Sequence, residues 1–159
     1  MPHFIPSKNA PRRNLGYMFQ FGWHNADYPQ DIGKRLGQLL DICGLTVEKH
    51  EVTVFPRPEG VPEEAESITH IYILSQSHLV LHTYPENDNL YLIDLHHCGL
   101  DGHAAFELRE KIVAAIQLLF TPRDPREHIC TLFRHVFEPG VSTPRGVVGA
   151  DEWQLGGKA

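Results

Sequence analysis

The chain has 159 residues, 42% of them apolar, enough for one domain with a buried core. Its formal charge is −6 with histidine neutral, and its 14 Lys and Arg are scattered, which argues against nucleic acid or an anionic membrane as main partner. No apolar run approaches the roughly 20 residues of a membrane helix. The first residues lack the basic-then-apolar plan of a signal peptide. Three widely spaced cysteines, Cys43, Cys98 and Cys130, read as free thiols of a cytoplasmic protein, not as a disulfide scaffold.

Taken in chain order, residues 1–15 carry three prolines and little periodicity, and read as a flexible arm. Tyr17 to Trp23 is aromatic-rich and predicts a strand. Asp31 to Cys43 places Ile32, Leu36, Leu39, Leu40 and Cys43 at helical spacing, with Gly44 as the stop. Gly33 and Gly37 weaken that helix. Thr46 to Phe55 alternates as a second strand. Residues 56–66 hold three prolines and four glutamates, the chemistry of a loop inserted over an edge or cleft. Ile68 to Tyr84 is rich in β-branched and aromatic residues and predicts one long strand, or two collinear pieces.

Pro85 to Asn89 is turn chemistry, and Leu90 to Cys98 is the return strand. A helix follows from about His103 to Phe120, with Phe106, Leu108, Ile112, Val113, Ile116 and Leu119 mostly on one stripe. Arg126 to Phe137 fits a helix through Ile129, Leu132, Phe133 and Val136, or a strand through Cys130 to Phe133. Residues 139–159 read as a loose tail of a single domain, 1–159. This order predicts an α+β two-layer sandwich, an antiparallel sheet with helices on one face. The bare face invites a second copy, giving a dimer through the sheets.

The polar residues concentrate in one predicted hairpin. Pairing outward from the turn near Asn87 sets Tyr84 against Leu90 and His82 against Leu92. It sets Cys98 near the Gln76–Ser77 bond, within a residue or two of slippage, so that Ser77, His82 and Cys98 share one ribbon. On the return strand Tyr91, Ile93, Leu95 and His97 face one way, toward helices. Leu92, Asp94, His96 and Cys98 face the other.

Three chemistries use such residues. A metal needs His78, His82, His96, His97, Cys98 and His103 to converge. On a strand, however, His78 and His82 stand roughly 13 Å apart, and His96 and His97 point to opposite faces, so no metal is expected. A Cys98 nucleophile with a histidine base is a second chemistry. Self-processing at Ser77 is the third.

Ser75-Gln76-Ser77-His78-Leu79-Val80-Leu81-His82-Thr83-Tyr84-Pro85-Glu86, followed by Tyr91-Leu92-Ile93-Asp94-Leu95-His96-His97-Cys98-Gly99, resembles the prokaryotic S-adenosylmethionine decarboxylases. Their motif reads Ser-Glu-Ser-His-x-x-x-His-Thr-Trp-Pro-Glu, then a strand ending Asp-x-Phe-Thr-Cys-Gly. The dense match covers about 30 residues, and the coarse element order is similar from Tyr17 to Phe120.

The resemblance implies autocatalytic cleavage between Gln76 and Ser77. The Ser77 hydroxyl attacks the preceding carbonyl to give an ester, and β-elimination then leaves a residue that becomes a pyruvoyl cofactor. His82 is implied to remove the α-proton and Thr69 to stabilise the intermediate. The pyruvoyl carbonyl would form a Schiff base with the substrate amine, and Cys98 would return a proton to the substrate carbon. Glu86 would hold ribose hydroxyls of S-adenosylmethionine, with Tyr84, in place of the family's Trp, and Phe55 as aromatic walls. The family implies a homodimer of processed protomers with sites at the interface.

The chain departs from the family pattern at Gln76, where the family has Glu, and at His96-His97, where it has Phe-Thr. These departures leave room for ornithine or arginine as substrate, since the family includes such members. They also leave room for an uncleaved homologue that binds or regulates.

Overall fold

A computed structural model describes residues 16–75, 77–98, 100, 102–123, 130–137 and 149–154. The elements run β1 (Gly16–His24), α1 (Ile32–Ile42), β2 (Val47–Val54), β3 (Ile68–Leu74), β4 (Ser77–Tyr84), β5 (Leu90–Cys98), α2 (Gly102–Leu119), β6 (Cys130–Phe137) and β7 (Gly149–Gln154). All strands join one antiparallel sheet in the order β2-β3-β4-β5-β1-β6-β7. The fold is the expected α+β sandwich, sheet on one side and helices on the other. The expected arm at 1–15 and Gln76 lie outside the described residues, as does most of the expected tail. Within that tail, Gly149–Gln154 pairs with β6 as an edge strand.

Strand periodicity builds the core. Tyr17, Phe19, Phe21 and Trp23 alternate along β1 and are all buried, as period-two patterning requires of a half-covered sheet. Leu79 and Leu81 of β4 and Tyr91, Ile93 and Leu95 of β5 share that face. Ile32, Leu36, Leu39 and Leu40 of α1 and Leu108, Ile112, Val113 and Ile116 of α2 close over it in one hydrophobic cluster. Trp23 stands 5.5 Å from Tyr91 and 5.3 Å from Phe120, ring centre to ring centre. Phe106, counted in the sequence with the α2 stripe, instead faces out, 46% exposed.

Gly44 ends α1 at φ +68°. Its N–H bonds the Asp41 carbonyl, and the Leu45 N–H reaches back to Leu40, the Schellman arrangement that glycine permits. Gly33 weakens α1 in propensity but lets it sit close on the sheet: a Cβ there would stand 3.2 Å from the His70 ring.

The stretch expected as one long strand folds back on itself. β3 and β4 pair antiparallel from Leu74 opposite Ser77 to Thr69 opposite His82, leaving two residues between them. The reason is parity. Leu74 and Leu79 are both buried, yet five residues apart in one straight strand they would face opposite sides. A two-residue hairpin turn restores both to the core. The ambiguous segment before Phe137 resolves as strand β6, paired with β1.

Candidate functional site

The face of the sheet away from the helices is lined by chemistry-bearing side chains. Register partners in an antiparallel ladder share a face. The rows Thr69–His82–Leu92, Val80–Asp94–Gln20 and His78–His96–Met18 therefore lie side by side on this open face. Gln20 donates to Asp94 at 2.8 Å. The His78 and His96 rings stand 5.4 Å apart, and burial, with His78 adding, holds His96 below the usual histidine range.

Thr69 and His82 are the best-defined pair. They sit directly opposite on β3 and β4, and Thr69 Oγ1 lies 2.9 Å from His82 Nδ1. Thr69 is buried and His82 half-buried. The bond fixes the ring, and it exists only because the hairpin turns back. The Tyr84 ring, two residues on along β4, stands 6.0 Å from that of His82. Phe55, 48% exposed, lies two residues past Thr53, the strand partner of Thr69.

Glu86 is exposed on the turn between β4 and β5. Buried amides anchor that turn. Asn89, at φ +55°, donates to the carbonyls of Asn25 and Asp27 at 2.9 and 2.8 Å. Asn25 in turn accepts from the Trp23 indole and the Thr121 backbone N–H. Arg123 pairs with Asp88 in the same turn. This support was not read from the sequence. Its signal was a pair of asparagines at the ends of predicted strands.

The β4–β5 register is the one expected: Tyr84 opposite Leu90, His82 opposite Leu92, and Ser77 opposite His97. Cys98 follows one residue on, exposed on the open face. The three residues expected together are nonetheless split. Ser77 and His82 are five strand residues apart, on the order of 16 Å, and strand alternation points them to opposite faces. The chain thus carries two separate groups: Ser77 and Cys98 at one end of the hairpin, and Thr69, His82, Tyr84, Phe55 and Glu86 toward the other.

Ser77 faces the helices. Its Oγ is buried and has no hydrogen-bond partner among the described residues. His97 shares that face and is buried, and its Nδ1 also lacks a partner. The sequence placed His97 with the helix-packing set. Only its register position opposite Ser77 marks it as more. Cys43, by contrast with Cys98, is buried beneath the helices, and burial pushes its thiol up to about 11.

Among the described residues, no three His, Cys, Asp or Glu side chains gather as a metal-binding group, and no helix is long and apolar enough to cross a membrane. No curated protein matches the chain. The family model for S-adenosylmethionine decarboxylase matches residues 21–123, a span that runs from mid-β1 through α2 and includes Phe55, Thr69, Ser77, His82, Tyr84, Glu86 and Cys98. The chain belongs to the S-adenosylmethionine decarboxylase family, whose members are decarboxylases of polyamine biosynthesis.

Proposed function

We propose that the chain is a self-cleaving, pyruvoyl-dependent decarboxylase acting on S-adenosylmethionine. The observation that carries the reading is the Thr69–His82 hydrogen bond, 2.9 Å long, in a hairpin that leads directly into Ser77. A histidine held by a hydroxyl at its Nδ1 is oriented to move a proton through its other nitrogen.

The residues present fit the formation of the group. The Ser77 hydroxyl makes no competing hydrogen bond among the described residues, so its oxygen is free to attack the carbonyl of residue 76. The peptide C–N bond breaks and an ester forms. His82 then removes the Ser77 α-proton while the Cβ–O bond breaks, releasing the N-terminal piece as a carboxylate. The new N-terminal residue takes up water and loses ammonia, leaving a pyruvoyl group. Once in place, that group supplies an electron sink for the departing CO₂. Cys98 returns a proton to the substrate carbon. Glu86 accepts hydrogen bonds from the ribose, and Tyr84 and Phe55 wall the base.

The wide separation of Ser77 from His82 within one protomer makes a second copy part of this proposal. Met18, Ile71 and Ile73 leave the open face partly apolar, each about two-fifths or more exposed. Two open faces packed together in a homodimer would bring the Thr69–His82 end of one protomer to the Ser77–Cys98 end of its partner.

One observation favours a second reading, an intact binding or regulatory homologue: the Ser77 hydroxyl points to the helix side, away from Thr69 and His82. Denaturing mass spectrometry separates the two. Cleavage between residues 76 and 77, with a Ser77-derived pyruvoyl mass that Ser77→Ala abolishes, is the expected result. A chain that stays whole on long incubation, with no carbonyl reactive to hydrazine, overturns the enzyme reading. Labelled CO₂ release from S-adenosylmethionine, ornithine and arginine assigns the substrate.

A further inference from the structure

We propose that His97 is the base that takes the hydroxyl proton of Ser77 in the first step of chain cleavage, an inference that rests on the self-cleavage reading above. Ser77 and His97 are direct partners in the β4–β5 ladder. Directly opposed Cα atoms in such a ladder are about 4.5–5.5 Å apart, and both side chains rise from the helix side of the sheet. Rotation about the serine χ1 sweeps Oγ through its staggered positions across that short gap.

Their surroundings are apolar. Across the sheet on this face the row reads Leu74, Ser77, His97, Tyr17, with Leu79 and Leu95 alongside. Ser77 Oγ and His97 Nδ1 are both buried and both without a hydrogen-bond partner among the described residues. Leaving a buried polar atom unpaired costs about 1–3 kcal/mol. Two such atoms at opposed positions are therefore a poor choice for packing alone. Thr83 shows the ordinary solution on the same face of β4: its hydroxyl donates to the Glu66 carbonyl and accepts from the Ile68 N–H.

Other imidazoles are less suited to this step. His82 lies toward the far end of β4, on the opposite face, engaged by Thr69. His78 and His96 face each other on the open side. Burial also lowers the proton affinity of His97, with the Cys98 backbone opposing and His96 adding, which favours the neutral ring that can accept.

In the step, the Oγ proton passes to a ring nitrogen of His97 as Oγ bonds the carbonyl carbon of residue 76. The C–N bond of that peptide breaks, and His97 gives the proton to the leaving nitrogen of Ser77. The histidine ends neutral, and only the acyl group has moved. His97 stands where the family's motif has Thr, so the inference concerns this chain.

The test follows the full chain from cell-free translation by denaturing mass spectrometry, sampled with and without hydroxylamine, which splits esters but not peptides. His97→Ala and the polar, similar-sized His97→Gln should each slow fragment release about 10²-fold or more. Neither should build a hydroxylamine-labile bond, whereas His82→Ala should. Added imidazole should restore part of the rate to His97→Ala, which a packing role would not allow. Should His97→Ala fail to fold, His97→Gln carries the same comparison. Fragment release at the wild-type rate, or a hydroxylamine-labile ester accumulating in either His97 variant, overturns the role of His97 alone. A wild-type chain that never breaks overturns the self-cleavage reading and this one together.

Discussion

On the helix side of the sheet, Phe19, Phe21, Leu79, Leu81, Ile93 and Leu95 are fully buried. On the other side the same three strands present Gln20, His78, His82, Asp94 and His96. The backbone is shared, so the difference comes from alternation alone: each strand spends every second residue on stability and leaves the rest for chemistry. The division is not complete. His70 and His97 intrude on the helix side. His70 forms a stack with His50 of the edge strand β2 and Tyr72 of its own strand β3, its Nδ1 3.0 Å from His50 Nε2 and its own Nε2 buried without a partner among the described residues. One intruder thus sits opposite the proposed cleavage site and the other far from it, which lets the rule be tested.

The largest effect should come from the open face. His82→Ala should cost less than about 1 kcal/mol of stability yet slow cleavage about 10²–10⁴-fold, read by intact mass. A large stability loss with normal cleavage would reverse the assignment of faces. On the helix side, Phe21→Ala in a chain held whole by Ser77→Ala should cost about 3–5 kcal/mol in a urea melt. A cost under about 1 kcal/mol would show that this face does not dominate stability.

Next comes acid. Burial, then the nearby His50, pushes His70 down from 6.5 to about 4, so folding holds it neutral while the unfolded chain takes up a proton. Its contribution is therefore complete above the usual histidine value and lost as pH falls from there toward about 4, by roughly 3 kcal/mol. His70→Gln should flatten stability against pH over that window. An unchanged slope would place the acid sensitivity elsewhere.

Cys98→Ala should leave cleavage intact and lower CO₂ release about 10²-fold; normal turnover would remove the thiol from the chemistry. The smallest effect belongs to Ile73, 48% exposed on the open face. Ile73→Thr should change chain stability by no more than about 0.5 kcal/mol while weakening self-association in sedimentation. Unchanged association would argue against that face as the dimer surface.

Much of this arrangement was legible beforehand where the cues are local. The turn at Pro85 to Asn89 placed Tyr84 opposite Leu90 and His82 opposite Leu92, as found, because a hairpin register follows from its turn and its alternation. The two long helices were legible from spacing. The β3–β4 hairpin was missed although its cue was present: burial parity slips between Leu74 and Leu79 across a short polar stretch. Read as one strand, Thr69 and His82 would stand on the order of 40 Å apart. Folded back, they hydrogen-bond. Segment Cys130–Phe137 stayed ambiguous because a short apolar run serves a helix or a buried strand equally, and only its pairing with β1 decides.

The sequence by itself determined which residues alternate, where most turns fall, and which motif the chain carries through Ser77, His82, Glu86 and Cys98, because these depend on neighbours a few positions away. Tertiary structure alone decided which of them meet. It folded β3 back against β4, so that Thr69 meets His82. That outcome turns on a chain reversal that brings together residues distant along the sequence.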